Sequence, residues 1–95
     1  MDEMKELGKK DFSSAMKSST RRRIVRGDIN AKDIVALRHF IGLTQEAFAT
    51  AMGISVHTLR NWEQGRRHPE GPAIALLRIA ARHPGILRQN LSHAA

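Results

Sequence analysis

From Asn30 onward, apolar side chains recur at the three-and-four spacing of a helix face. Ile34, Leu37 and Ile41 fall at i, i+3 and i+7, and Phe48, Ala51 and Met52 keep a helical spacing. Val56, Leu59 and Trp62 are set three apart, Ile74, Leu77, Ala80 and Ala81 form a longer stripe, and Leu87 and Leu91 close the series. Each block carries its own punctuation. Asn30 reads as an N-cap, with Asp33 at the third helical position in a box-like arrangement, and Gly42 ends that helix. Thr44 caps the next, which Gly53 stops after about two turns; Ser55 caps a third, which Gly65 ends. Gly71-Pro72 opens a fourth, because proline is tolerated at the first helical position, and Pro84 starts a short last one. No stretch alternates with period two over a useful length, and there is no internal repeat. The pattern predicts an all-α fold of five helices, without strands.

Residues 1–29 read differently. Met4, Leu7, Phe12 and Met16 are scattered among charged and Ser/Thr residues. A short helix over Glu3–Lys10 fits the sequence. Ser13, Ser14, Ser18, Ser19 and Thr20 then favour local backbone hydrogen bonds over a continued helix. Arg21, Arg22 and Arg23 form a basic run, read either as a solvated stretch or as an arm for a minor groove, and Gly27-Asp28 reads as a turn. The expected organisation is an N-terminal extension over 1–29, partly flexible or ordered only against a partner, and a domain over 30–95.

Ninety-five residues fit one small domain with a single core. The chain has no cysteine, which excludes disulfides, thiolate nucleophiles and cysteine-ligated zinc and agrees with a reducing cytosol. The start, MDEMKELGKKDF, lacks the apolar run of a signal peptide, and no segment has the length of a membrane span. A cytoplasmic protein is expected. The formal net charge is +7, from 16 Lys+Arg against 9 Asp+Glu, and both the extension and the domain are positive. Such a field favours a polyanionic partner. The five histidines show no ligand spacing beside an acid, and no nucleophile–base arrangement is evident. Neither a metal, a cofactor nor an enzymatic activity is expected. Three Phe and one Trp are too few for an interleaved stacking surface for single strands.

The lone Trp62 lies among polar neighbours: Arg60, Asn61, Glu63 and Gln64. Helical spacing resolves this. Trp62 follows Leu59 by three and faces the core. Ser55, Val56, His57, Arg60, Asn61 and Gln64 are left on the other side, a flank that carries no acid. Ala49 is small enough for close helix approach, and Gly53 allows a sharp turn, so 44–64 reads as two short helices crossing through a tight turn. A helix presented in this way fits the major groove.

The stretch LTQEAFATAMGISVHTLRNWEQGRRHPEG resembles the helix-turn-helix of the xenobiotic-response-element group, the Cro and phage-repressor type. The likeness spans about Asn30 to Ala81. More narrowly, NWEQGRRHPEGPAIALLRIA resembles HigA-type and NadS-type antitoxins, which repress their own promoters and neutralise a toxin nuclease. The resemblance implies a phage-repressor-like five-helix domain binding double-stranded DNA. It implies that Ser55, Val56, His57, Arg60 and Asn61 lie in the groove. Thr44 and Gln45, at the start of the second helix, would meet phosphate, Gln45 also supporting a recognition-helix side chain, and Arg66 and Arg67 would grip the flanking backbone. Helix N-termini add phosphate contacts of their own. Arg38 and Glu63 match positions that form an internal ion pair. Val56 suits a thymine methyl, and Arg60 either a guanine or a phosphate.

One recognition helix reads too few base pairs for specificity, so a homodimer on a palindromic operator is expected, with Ile86, Leu87 and Leu91 contributing the two-fold contact. If the chain is an antitoxin, Leu7, Phe12 and Met16 are the candidate toxin contacts; Phe12 and Met16 serve equally as satellites of the core. Two other readings stay open: a stand-alone regulator without a toxin partner, and a protein-interaction module whose helix-turn-helix no longer binds DNA.

Overall fold

The computed structural model describes residues 16–94, with side chains through Leu91. All five expected helices form, and another precedes them. In chain order they are α1 (Ser18–Arg26), α2 (Ala31–Ile41), α3 (Gln45–Met52), α4 (Val56–Glu63), α5 (Pro72–Arg82) and α6 (Gly85–Ala94). Among the described residues there is no strand.

The caps lie where the side chains ask for them. Asn30 Oδ1 accepts from the Asp33 amide at 2.8 Å while the Asp33 carboxylate accepts from the Asn30 amide at 3.2 Å, closing the box. Thr44 Oγ1 accepts from the Ala47 amide at 3.1 Å and Ser55 Oγ from the Thr58 amide at 3.0 Å. Gly53 ends α3 at φ 76°, a left-handed conformation that side chains disfavour. The Ile54 amide can then reach back to Ala49 O at 3.0 Å, and the chain turns at once into α4.

One core runs through all six helices of the described residues. Ile24, Ile34, Leu37, Phe48, Leu59, Leu77 and Leu87 are all but completely buried within it. Each such side chain contributes about 1.5–3 kcal/mol by leaving water.

The extra helix, α1, corrects the expectation that Ser18, Ser19 and Thr20 would favour local backbone hydrogen bonds over a helix. Its N-cap, Lys17, makes no side-chain capping bond, so the local sequence supports it weakly. Tertiary contacts hold it instead. Thr20 and Ile24, one turn apart, are buried, and the helix packs chiefly on α5 and also on α2. Arg23 forks onto the buried Asp33 carboxylate, Nε at 3.1 Å and Nη2 at 2.6 Å. That hydrogen bonding, against the opposing effect of burial and reinforced by the charges of Asp33 and Asp28, holds the Arg23 guanidinium above its ordinary range. At the other end, Arg78 Nε donates to Val25 O at 2.7 Å, a cation where the helix dipole is negative. The arginine run is thereby divided. Arg23 is a structural pin, Arg21 lies 5.3 Å from the centre of the Phe40 ring, and Arg22 is exposed. The helix packs on two helices that follow residue 30.

The last helix closes the molecule against α3 and α5. Arg88 Nη1 donates to Ile41 O and Asn90 Nδ2 to Ala51 O, both at 2.7 Å, near the C-terminal ends of α2 and α3. Here a second expectation is corrected. Leu87, expected at a two-fold contact, is 1% exposed and belongs to this chain's own core, whereas its neighbour Ile86 is 39% exposed. Leu91 is half-buried against the core. With two apolar residues in succession, spacing alone left open which one faces inward.

Candidate nucleic-acid interface

The candidate interface is the outer flank of α4 together with the start of α3. Leu59 and Trp62 anchor α4 from beneath, both buried, and leave Ser55, His57 and Arg60 exposed. Val56 differs from the expectation of a free reader: it is half-buried and packs against the core, since a position three before Leu59 shares part of its inward face. Asn61 is half-buried. Its backbone carbonyl accepts the Arg66 amide at 2.9 Å and the Arg67 amide at 3.3 Å, which folds the following loop back over the end of α4. Both arginine side chains are exposed there. Between loop and helix lies a groove of about 430 Å³ lined by His57, Thr58, Asn61, Trp62, Arg67, His68 and Glu70. Two imidazoles, a guanidinium and the Glu70 carboxylate stand on its walls.

Arg38 and Glu63 form an ion pair between α2 and α4. Arg38 Nε lies 2.7 Å from Glu63 Oε2 and Nη2 lies 3.1 Å from Oε1, with the two side chains 13% and 6% exposed. Arg38 Nη1 also donates to Leu43 O at 3.2 Å, which fixes the link into α3. The one acid carried by α4 is therefore withdrawn and neutralised, and the outer face of α4 presents no free carboxylate of its own.

A third donor reaches Glu63. Gln45 Nε2 donates to Oε1 at 2.9 Å, while Gln45 Oε1 accepts from Arg60 Nε at 3.2 Å. Gln45 is thus engaged inside the protein with both ends of its amide. Arg60 Nη2 also approaches Glu46 Oε2 at 3.4 Å. These bonds set the start of α3 beside the middle of α4, where Arg60 stands. Ser55 is engaged as well: beyond capping, its hydroxyl bonds Thr58 Oγ1 at 3.0 Å. Thr44 is exposed and caps α3.

The roles of Glu46, Thr58 and His68 were not visible in the sequence. Contacts between residues 14 and 15 apart on different helices leave no periodic trace. Of the candidate partner contacts on the extension, Met16 is half-buried against the core, while Leu7, Phe12 and the short helix considered over Glu3–Lys10 lie outside the described residues.

Among the described residues no helix is long and apolar enough to cross a membrane, and no three His, Cys, Asp or Glu side chains converge as a metal site. Residues 3–90 match the protein family described as the antitoxin component of bacterial toxin–antitoxin systems, MqsA. The chain is also similar to Antitoxin HigA-2 of Vibrio cholerae, with 40% identity over 68 residues. That stretch covers 72% of this chain and 62% of the relative, so the chain spans less than two thirds of the relative's length.

Proposed function

The chain belongs to the MqsA family of antitoxin components of bacterial toxin–antitoxin systems, and on that premise we propose that it is a sequence-specific, double-stranded-DNA-binding repressor of its own operon. Family membership points to a regulator rather than an enzyme. The observation that carries the DNA-binding reading is the division of α4: Leu59 and Trp62 buried, Ser55, His57 and Arg60 exposed, and Glu63 withdrawn into its pair with Arg38. A cationic, acid-free helix flank beside a second helix N-terminus suits a major groove with phosphates on either side.

In this reading Arg60, His57 and Asn61 read base edges, with Ser55 and the exposed part of Val56 at the groove entrance. Arg66, Arg67 and the amides following Thr44 hold phosphates. Gln45 acts through Arg60 and Glu63 as a positioning residue. The helix-turn-helix is of the xenobiotic-response-element type, and a toxin protein engages the chain through the N-terminal extension. A homodimer on a palindromic operator supplies the remaining specificity, with Ile86 and Leu91 at the contact.

The test is selection of bound duplexes from a random pool, followed by titration of the best duplex over a range of salt. A duplex should emerge, and log affinity should fall with log salt by about 0.9 per phosphate neutralised. A protein that retains no duplex in dilute buffer, or whose binding ignores salt, is not a DNA-binding repressor.

A further inference from the structure

Glu46 is an acid on the side of α3 where a duplex is expected, and general electrostatics disfavours it there. Its partner explains its position. Arg60, the cation on the recognition flank, lies folded against α3, with Nε on Gln45 Oε1 and Nη2 on Glu46 Oε2. The Gln45 oxygen faces Arg60 because its amide nitrogen is committed to Glu63, which Arg38 holds in turn. Turning that amide over would set an oxygen against a carboxylate and an NH2 against a guanidinium. The buried Arg38–Glu63 pair therefore dictates which end of Gln45 meets Arg60, and so where the guanidinium rests.

We propose that Glu46 is a specificity-determining residue, which holds Arg60 on α3 until a correctly placed base edge draws it away. This rests on the DNA-binding reading. The two side chains are 47% and 69% exposed, so their pairing is weak and readily broken. Moving Arg60 from a carboxylate to a phosphate exchanges one anion for another and gains little. A guanine offers O6 and N7 to the two-pronged fork at once, inside a groove with less water. On an arbitrary duplex Arg60 stays with Glu46, and the helix presents one cation fewer. On a duplex with guanine at the right step Arg60 leaves, and the contact is specific.

The test compares the best duplex selected from a random pool with a scrambled duplex of equal length and composition, for the full chain and for Glu46→Gln. Glu46→Gln should tighten binding to the scrambled duplex by about two- to fivefold, the range of an exposed pair. Its salt slope should steepen by about one phosphate contact. Affinity for the selected duplex should rise less, so the ratio between the two duplexes falls. In an Arg60→Ala background, Glu46→Gln should leave the ratio unchanged. Thermal melting checks that each variant is folded. An unchanged ratio for Glu46→Gln overturns the proposal. So does an equal fall in the Arg60→Ala background, which would make Glu46 a source of general repulsion only. A wild-type chain that binds no duplex selectively overturns both this proposal and the reading beneath it; selective wild-type binding with an unchanged ratio removes Glu46 alone.

Discussion

Replacing Arg38 by methionine tests how the recognition helix is held. Glu63 is 6% exposed and receives three hydrogen bonds, two from Arg38 at 2.7 and 3.1 Å and one from Gln45 at 2.9 Å. Arg38→Met preserves much of the side-chain volume but leaves the carboxylate with Gln45 alone, and Leu43 O loses its guanidinium donor. Removing one member of a buried pair costs about 3–5 kcal/mol, since the remaining charge is neither hydrated nor paired. A domain of this size loses about 4–8 °C per kcal/mol, so the midpoint should fall by on the order of 12 °C or more. The second variant, Arg38→Met with Glu63→Leu, removes the orphaned charge and should recover at least half of the loss, because apolar replacement of a whole buried pair is often neutral. Urea denaturation followed by circular dichroism, read at equal protein concentration, gives both values. A loss below about 1 kcal/mol for the single variant, the range of a surface pair, would refute the reasoning. A double variant no better than the single one would refute it equally.

The other expectations concern the first helix, the last helix and the extension. Ile24→Ala should cost about 2–5 kcal/mol in denaturant, as for a fully buried isoleucine; a cost under about 1 kcal/mol would mean that α1 is not part of the core. Leu87→Ala should cost a similar amount, whereas Ile86→Ala should leave the melt nearly unchanged and weaken self-association in sedimentation velocity; the reverse pattern would contradict the burial of these neighbours. Removing residues 1–15, a cut that spares the buried Thr20 and Ile24, should keep duplex binding and abolish neutralisation of the cognate toxin in a growth assay. Retained neutralisation would move the toxin contact off the extension.

How much of this could be read from the chain depended on the range of the interaction responsible. The caps at Asn30, Thr44 and Ser55 and the stops at Gly42 and Gly53 are contacts between residues a few positions apart, and the sequence displays them. The inward placement of Leu59 and Trp62 follows from spacing alone. The first helix is not legible because its opening Ser-Ser-Thr is locally indifferent to helix, and its support comes from Asp33, Arg78 and packing on α5, distant in sequence. The register of α6 was missed because Ile86 and Leu87 are both apolar, and only the packing on α3 and α5 decides between them. At the candidate interface, the exposed set on α4 was legible except at Val56 and Asn61, both half-buried, whose placement depends on what packs around them. The holding of Arg60 by Gln45 and Glu46 was not legible, because it exists only once α3 and α4 have crossed.

Whether the outer flank of α4 meets a duplex decides the DNA-binding reading. Backbone amide resonances of the labelled protein, followed while the best selected duplex is added, test this most directly. The largest shifts should fall on residues 55–61, on the start of α3 around Gln45 and Glu46, and on Arg66 and Arg67. Shifts concentrated on α1, α5 and α6, with residues 55–61 unmoved, would contradict it.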